Sequence, residues 1–252
     1  MNLMLLLPDD QVSESRYKLS DERAAHICSV LGSKTGDLIE VGLLNGPIGK
    51  AEIVSMGQTV ELETRELHQP PSPEPTIDLV CALPRPQTLK RVLATCGTMA
   101  IRRLHLIRAN RVERSYYQSP LLQTENYTRF LIEGMMQGRQ TRMTEVTIHE
   151  RFRLFFEDKL PGLVSDQDER PMMLAAEGDA WNVVADAWDE TPDWIIAAVG
   201  PEGGWVPFEL DTMRSAGFQI VSLGRWVLRV EAAVVALLSQ IEMQVQHNKP
   251  GQ

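Results

Sequence analysis

The chain has 252 residues, of which 43% are hydrophobic and 23% are charged, and its formal net charge is −9. A chain of this length can bury a sizeable core without metals or disulfides, and it has room for two small domains. The three cysteines, Cys28, Cys81 and Cys96, form no CxxC pair, which argues against a disulfide framework or a zinc site and is typical of a reducing compartment.

The N-terminal residues lack the features of an export signal. The apolar run that ends at Leu7 has no basic residue before it, and Pro8 stops it. No stretch of the sequence approaches the roughly 20 apolar residues that span a membrane. We therefore expect a cytoplasmic protein with neither a membrane nor a metal as a partner.

The N-terminal part of the sequence is mostly β in pattern, with a turn at Asn45-Gly46 between two short strands. One helix is expected over Asp21–Leu31, with Ser20 or Asp21 as its cap. The predicted strands are Asp37–Val41, Ala51–Val54 and Thr59–Thr64. Short strands around one helix indicate a small β-barrel.

Four prolines fall within the seven residues Gln69–Pro75. Such a segment cannot form a helix interior or a central strand, so we interpret it as a stiff linker. The linker predicts two domains, residues 1–70 and residues 76–252.

After the linker, strands and helices alternate. The predicted strands are Ile77–Ala82, Leu104–Arg108, Pro171–Ala176, Trp194–Val199 and Phe218–Ser222. The predicted helices are Pro86–Met99, Pro120–Gln137, one that Pro207 opens and Gly217 closes, and Val230–Val245. This alternation predicts an α/β fold with a largely parallel sheet covered by helices on both faces.

Basic residues are concentrated in the middle of the chain. Residues 1–75 hold 6 Lys/Arg and 12 Asp/Glu, residues 76–145 hold 11 and 5, and residues 146–252 hold 8 and 17. Ten of the 11 central basic residues are arginines, which bind phosphate well. The candidate ligands for the phosphates of a nucleic acid are Arg85, Lys90, Arg91, Arg111, Arg114, Arg139 and Arg142. A solvated helix face would have a similar charge, so charge alone leaves both interpretations open.

Two loops follow predicted strands where α/β proteins bind ligands, at the carboxyl ends. The first is Gly200-Pro201-Glu202-Gly203-Gly204, and the second is Leu223–Arg229. Three glycines in five residues expose backbone N–H and C=O groups, which suits the binding of a nucleoside. A tight turn that needs glycine only for its backbone conformation is the alternative. The candidate cofactor ligands are Val199, Gly200, Pro201, Glu202, Gly203, Gly204, Ser222, Leu223, Gly224, Val227 and Leu228.

The first loop, followed by Leu223-Gly224, Leu228-Arg229, Glu231 and Ala233 at the start of the last helix, resembles the C-terminal signature of RsmE-type methyltransferases of the SPOUT class. The run from His26 through Gly36-Asp37 resembles the PUA-like RNA-binding barrel of that family. The resemblance implies a SPOUT-type parallel sheet with a trefoil knot and a homodimer. It also implies S-adenosyl-L-methionine as cofactor and methylation of ring N3 of a uridine in 16S ribosomal RNA of the small ribosomal subunit.

For that reaction the candidate catalytic residues are Arg229 and Glu231. Arg229 can stabilise negative charge on the uracil oxygens, and Glu231 can orient Arg229 or accept the N3 proton. The two side chains could instead form a salt bridge at a dimer contact. We also expect part of the apolar face of the last helix, with Val234, Leu238 and Ile241, to be buried across a two-fold interface.

Several positions depart from the family pattern. Arg225-Trp226 stand where the family has Pro-Arg, and Val230 and Ala232 stand where it has threonines. These departures leave an alternative open, a diverged paralogue that keeps the cofactor pocket but binds RNA without methylating it, or modifies a different RNA. A generic nucleotide-binding α/β protein is a third interpretation.

Overall fold

The computed structural model describes residues 3–73, 76–165, 171–178, 183–187 and 192–247. The chain divides into two compact units. The first contains Met1–Glu74, Gly97–Ala100 and Leu131–Met143, and the second contains Pro75–Cys96, Ile101–Phe130 and Thr144–Gln252. The sequence junction between the units lies in the proline-rich segment, but the first unit also includes the ends of two helices that begin in the second.

The first unit is built on a mixed five-stranded sheet. Its strands are β1 (Met4–Leu6), β2 (Arg16–Leu19), β3 (Leu38–Leu43), β4 (Ile48–Met56) and β5 (Val60–Gln69), in the order β1-β3-β4-β5-β2. β1 pairs with β3 in parallel, and the other pairs are antiparallel. Asn45 has a φ of 55° in the predicted turn between β3 and β4. β1 and β2 were not predicted, because strands of three and four residues carry too little alternation.

The helix predicted over Asp21–Leu31 is present in two parts. An α-helix, α1, covers Glu22–His26, and a π-helical turn continues it over Ile27–Leu31. A carboxylate oxygen of Asp21 accepts a hydrogen bond from the backbone N of Arg23 at 2.9 Å, so Asp21 is the cap. A short 3-10 turn, Pro8–Asp10, lies between β1 and β2.

The core of the first unit is apolar and contains one ion pair. Leu5, Leu19 and Leu62 are fully buried in it. The Arg23 guanidinium donates to both carboxylate oxygens of Asp10, at 2.6 and 2.8 Å, and to the Leu5 carbonyl at 2.8 Å. These bonds satisfy a charge that would be costly to bury alone.

The proline-rich segment is anchored within the first unit. The backbone N of Ser72 donates to Oγ1 of Thr141 at 3.1 Å, and the backbone N of Thr141 donates to Oγ of Ser72 at 2.8 Å. Both residues are buried. The prolines suggest a stiff linker that is free of other contacts. The segment differs from this prediction because Ser72 is hydrogen-bonded to Thr141, in another part of the same unit.

The second unit is built on a six-stranded sheet whose strand pairs are all parallel. Its strands are β6 (Ile77–Ala82), β7 (Arg103–Ile107), β8 (Glu145–His149), β9 (Met172–Ala176), β10 (Ile195–Val199) and β11 (Gln219–Val221), in the order β11-β9-β10-β6-β7-β8. Every residue of β6 and β10 is buried, as expected for central strands covered on both faces. The predicted α/β class is confirmed.

Helices connect these strands. They are α2 (Pro86–Thr98), α3 (Thr124–Gly138), α4 (Phe152–Leu154), α5 (Leu160–Ser165), α6 (Pro207–Ser215) and α7 (Val230–His247). A π-helical turn, Phe155–Lys159, joins α4 to α5, and 3-10 turns cover Arg114–Gln118, Pro120–Leu122 and Val184–Ala187. The helix predicted to start at Pro120 therefore starts at Thr124. The extended backbone of Gln123, with ψ of 138°, separates the 3-10 turn from the helix.

Buried apolar residues of α7 contradict one prediction about assembly. Val234, Leu238 and Ile241 each have 0% of their surface exposed within a single chain, and α7 packs on β10. They are therefore not available for a two-fold interface. The large apolar residues of α7 that a single chain leaves exposed are Val235 and Met243.

Candidate cofactor site and RNA-facing surface

Three loops meet at the carboxyl edge of the parallel sheet. They follow β9, β10 and β11, which are neighbours in the order β11-β9-β10. The backbone N of Glu177, just after β9, donates to the carbonyl of Val221 at the end of β11, at 3.0 Å. The two predicted ligand loops are therefore on nearby parts of one edge, and Glu177, at the start of the segment after β9, contacts the end of β11.

The geometry of the first loop favours glycine at two positions. A Cβ on Gly200 would lie 3.1 Å from the indole ring of Trp205, which donates its Nε1 hydrogen to the Ala176 carbonyl at 3.2 Å. Gly204 has a φ of +72° and closes a turn through a 2.8 Å bond from its N to the Pro201 carbonyl. The loop is thus held against β9 with its backbone close to neighbouring groups.

The loop exposes some of the predicted ligands and buries others. Val199, Gly200 and Pro201 are buried, whereas Glu202 and Gly203 are exposed. The side chains of Val199 and Pro201 are therefore directed to the core. Any contact that these two residues make with a ligand has to use their backbone atoms.

Two arginines from the predicted RNA-binding set lie against this loop. The guanidinium of Arg111 donates to the Gly203 carbonyl, and a Cβ on Gly203 would lie 2.9 Å from Cδ of Arg111. The backbone N of Arg85 donates to Oε1 of Glu202 at 3.3 Å, and its guanidinium lies 3.6 Å from the same oxygen. Cations therefore border the candidate cofactor loop in the free chain.

The second loop is fixed at its start and exposed further along. Oγ of Ser222 accepts from the backbone N of Gly224 at 3.2 Å, and Nε2 of Gln240 donates to the Leu223 carbonyl at 3.5 Å. Gly224 has a φ of +122°. Beyond it, Trp226 is 71% exposed and Val227 is 99% exposed. Such exposed apolar groups indicate a surface that contacts a ligand or another chain.

Within a single chain the two candidate catalytic residues are not paired with each other, and a salt bridge between them at a dimer contact stays a prediction. Oε1 of Glu231 lies 2.8 Å from Nη1 of Arg91, an α2 residue that we had placed among the phosphate ligands. The pKa of the Glu231 carboxyl is lowered, first by a hydrogen bond from its own backbone N–H and then by Arg91 and Arg229. Glu231 is therefore ionised at neutral pH and is a weak base, which favours the orienting role over proton acceptance.

The remaining candidate RNA ligands are distributed over both units. In the first unit, Arg139 makes two hydrogen bonds with the Glu40 carboxylate, at 2.7 and 3.0 Å, and Nε of Arg142 donates to the Ser72 carbonyl at 3.2 Å. In the second unit, Nζ of Lys90 lies 5.6 Å from the Phe130 ring centroid, and Arg114 is exposed. A role in binding RNA stays a prediction for all seven residues.

A cavity that the sequence did not predict lies at the same edge of the sheet, beyond the carboxyl ends of β7 and β8. Its volume is about 430 Å³, and its lining includes Arg108, Asn110, Arg114 and Phe208. The rule that placed a ligand site at the carboxyl ends of strands would have found the Arg108–Arg114 loop, had it been applied to β7.

Other site chemistries have no support in the described parts of the chain. No group of three or more His, Cys, Asp or Glu side chains there is arranged to hold a metal ion. None of the described helices is both long and apolar enough to cross a membrane. Burial raises the pKa of the Cys81 thiol, beside the candidate cofactor loop, to about 12, so it is not a thiolate at neutral pH.

Comparison with known proteins identifies the family. The model of the RNA methyltransferase domain matches residues 70–242. Ribosomal RNA small subunit methyltransferase E of Treponema pallidum is 28% identical over 245 residues, which cover 94% of this chain and 88% of the relative. The Synechocystis protein of the same name is 25% identical over 249 residues, with 96% and 77% covered.

A solved structure has the same fold. Ribosomal RNA small subunit methyltransferase E from Neisseria gonorrhoeae, bound to S-adenosyl methionine, superimposes with a TM-score of 0.73 at 18% identity, covering 96% of this chain and 97% of that one. The fold and site define an α/β protein with a glycine-rich ligand edge. The chain belongs to the RNA methyltransferase family, and the predicted membership of its RsmE type is confirmed.

Proposed function

We propose that this protein uses S-adenosyl-L-methionine to methylate ring N3 of a uridine in the 16S RNA of the small ribosomal subunit. The main observation is the meeting of three loops at one sheet edge, with bare backbone at Gly203, Gly204 and Gly224 and the start of α7 beside them. Family membership and the names of the relatives support the reaction and the RNA substrate.

The residues present fit the cofactor. When bound, S-adenosyl-L-methionine supplies a methyl group on an activated sulfonium, so the protein has mainly to position the reactants. The exposed backbone of Gly203 and the Ser222–Gly224 turn would offer hydrogen-bonding groups to a nucleoside. The exposed apolar segment that contains Val227 and Leu228 would cover an adenine ring.

Arg229 and Glu231 would act on the target base. Arg229 is exposed at the residue before α7, where its guanidinium can stabilise the negative charge that uracil oxygens gain as N3 loses its proton. Glu231 and Arg91 form a pair that fixes the first turn of α7, so Glu231 positions this region. Water or a substrate group would then accept the proton.

The finer features of the family also belong to this proposal. Residues 1–70 would form a PUA-like barrel that binds RNA, and residues 76–252 a SPOUT domain whose C-terminal segment forms a trefoil knot. A homodimer would cover the exposed apolar side chains of Trp226, Val227, Val235 and Met243. A small-subunit RNA substrate is consistent with action in the cytoplasm.

Two measurements test this function. Isothermal titration should detect binding of S-adenosyl-L-methionine to the purified chain. Incubation with unmodified small ribosomal subunits and labelled cofactor, followed by nucleoside mass spectrometry, should detect N3-methyluridine. Cofactor binding without methyl transfer would favour the diverged paralogue. Two observations motivate that alternative: Arg225-Trp226 depart from the family pattern, and Glu231 is paired with Arg91. Absence of cofactor binding would exclude both the proposed function and the paralogue.

A further inference from the structure

The cavity beyond β7 and β8 has the chemistry of a nucleobase site. Its wall includes Phe208, which is 50% exposed and whose ring centroid lies 6.4 Å from that of Phe152. Arg108, Asn110 and Arg114 supply hydrogen-bond donors, and Glu150 supplies an acceptor. Unpaired RNA bases are bound by this combination, an aromatic face for stacking and polar groups for the base edge.

Charge in the cavity favours a base over a free anion. Two arginines, Arg108 and Arg114, face two carboxylates, Glu150 and Glu209, so the formal charge of the lining is zero. Both oxygens of the buried Glu209 are engaged, one by the backbone N of Asn110 at 2.6 Å and the other by that of Val206 at 2.9 Å. The side chains that remain for a ligand are two guanidinium donors, the Asn110 amide, which both donates and accepts, and the Glu150 carboxylate. This mixture of donors and acceptors suits a neutral heterocycle.

One loop links the cavity to the candidate cofactor site. The residues that follow β7 place Arg108, Asn110 and Arg114 in the cavity wall and Arg111 on the carbonyl of Gly203. The bond from Asn110 to Glu209 fixes the same loop to α6, which begins directly after the cofactor loop. The loop that follows β7 is therefore shared by the two sites.

The spacing along the sheet edge suits neighbouring nucleotides of one strand. Adjacent strands lie about 4.8 Å apart, so β7 is about 10 Å and β8 about 14 Å from β10. An RNA strand whose target uridine is at the cofactor loops can reach the cavity with a nucleotide close to the target. Volumes of about 300–1,000 Å³ are typical of small-ligand pockets, and this cavity is within that range.

We propose that this cavity binds one unpaired nucleobase of the substrate RNA, next to the target uridine, by stacking on Phe208 and by hydrogen bonds from Arg108 and Arg114. The inference rests on the proposed function, because the target base defines where the strand enters. It adds Phe208 as a residue that determines substrate affinity rather than chemistry.

The experiment tests whether the aromatic ring of Phe208 stacks on an RNA base or only packs against neighbouring side chains. Steady-state methyl transfer to unmodified small ribosomal subunits is measured for the full chain and for Phe208→Ala, Phe208→Leu and Phe208→Trp. Loss of one stacked base should raise KM for the subunits about tenfold in the Ala and Leu variants, while kcat and cofactor affinity stay within about twofold. The Trp variant should restore the KM. Because Phe208 is half exposed, the variants should fold, which thermal unfolding checks.

Arg214→Ala, on the exposed face of the same helix, is the control and should behave as the wild type. Wild-type KM in both the Ala and Leu variants would overturn the inference while leaving the proposed function intact. A raised KM in the Leu variant that Trp does not restore would also overturn it. If the wild type transfers no methyl group, the proposed function fails, and filter binding of the same variants to the subunits then tests the cavity independently.

Discussion

The carboxylate of Glu231 lies 2.8 Å from the guanidinium of Arg91, although the two residues are 140 positions apart in the sequence. The pair connects α2 to the first turn of α7, immediately after Arg229. Glu231 is therefore paired within the chain, whereas Arg229 is exposed, and the proposed function gives these two side chains different tasks.

Replacement of these residues should therefore have unequal effects. Arg229→Ala should lower kcat for methyl transfer about 100-fold, the effect of losing one donor to a developing oxyanion. Glu231→Gln should lower kcat less than about tenfold, because the amide can still bond to Arg91. The pKa of the Glu231 carboxyl is lowered from its ordinary value, so the group stays ionised at neutral pH and kcat should not follow its titration between pH 6 and 8. Loss of an acidic limb in the Glu231→Gln profile would instead identify it as the proton acceptor.

Gly203→Val should abolish binding of S-adenosyl-L-methionine without unfolding the chain. A Cβ at this exposed glycine meets the flexible side chain of Arg111, which can move, but the added bulk prevents close approach of the ligand to the backbone. Gly57→Val is the matched control, because a Cβ there has no neighbour within 4 Å. If titration calorimetry gives wild-type cofactor affinity for a folded Gly203→Val variant, the loop is only a tight turn and does not bind the cofactor.

Binding of RNA should weaken steeply with salt if arginines contact phosphates. Arg85 and Arg111 are exposed beside the Gly200–Gly204 loop. Replacing both by alanine should flatten the log–log salt dependence of RNA affinity, without cofactor, by about one to two units. Arg214→Ala and Arg103→Ala together remove the same charge from ion pairs away from the loop and should change the slope less. An unchanged slope in the first double variant would limit these arginines to contacts within the chain.

Asp78 should be important for stability of the second unit. Its buried carboxylate accepts two hydrogen bonds from Arg102, at 2.8 and 2.7 Å, and one from Nε1 of Trp194 at 3.1 Å. Asp78→Ala leaves both partners without an acceptor and should lower the free energy of unfolding by about 3 kcal/mol in urea titrations. Asp211→Ala removes an exposed partner of Arg214 and should cost about 0.5 kcal/mol or less. Equal losses in the two variants would contradict this role.

Acid should destabilise the second unit through His105. Burial lowers the pKa of His105 from 6.5 to about 4, and its Nδ1 lies 2.7 Å from Oγ1 of Thr147. The unfolded chain therefore binds the proton more readily, so the contribution to stability is present above pH 6.5 and is lost as pH falls towards 4. The loss should total about 3 kcal/mol. His105→Asn should remove most of this pH dependence and His68→Gln, at an exposed site, none. If the stability of His105→Asn has the same pH dependence as that of the wild type, the pH dependence comes from other groups.

Patterns confined to one segment determined much of this protein in advance. Ile77–Ala82 was predicted as a strand with the observed bounds. A short, continuous apolar run between proline-containing segments is enough to identify a central parallel strand. The ligand role of the Gly200–Gly204 loop was inferred on the same local grounds and stays a prediction. Gly217 and Gly224 adopt positive φ where a helix and a strand end, which is a property of glycine itself.

Only the tertiary structure decided which distant groups meet. The partner of Glu231 is Arg91, the acceptor for Arg102 and Trp194 is Asp78, and the cavity wall combines Arg108 with Phe208. Short strands such as β1 are formed by pairing with a partner far along the chain rather than by their own pattern. Local sequence sets backbone preference and the burial of a face, whereas charge pairing and cavity shape depend on strand order, which no single segment encodes.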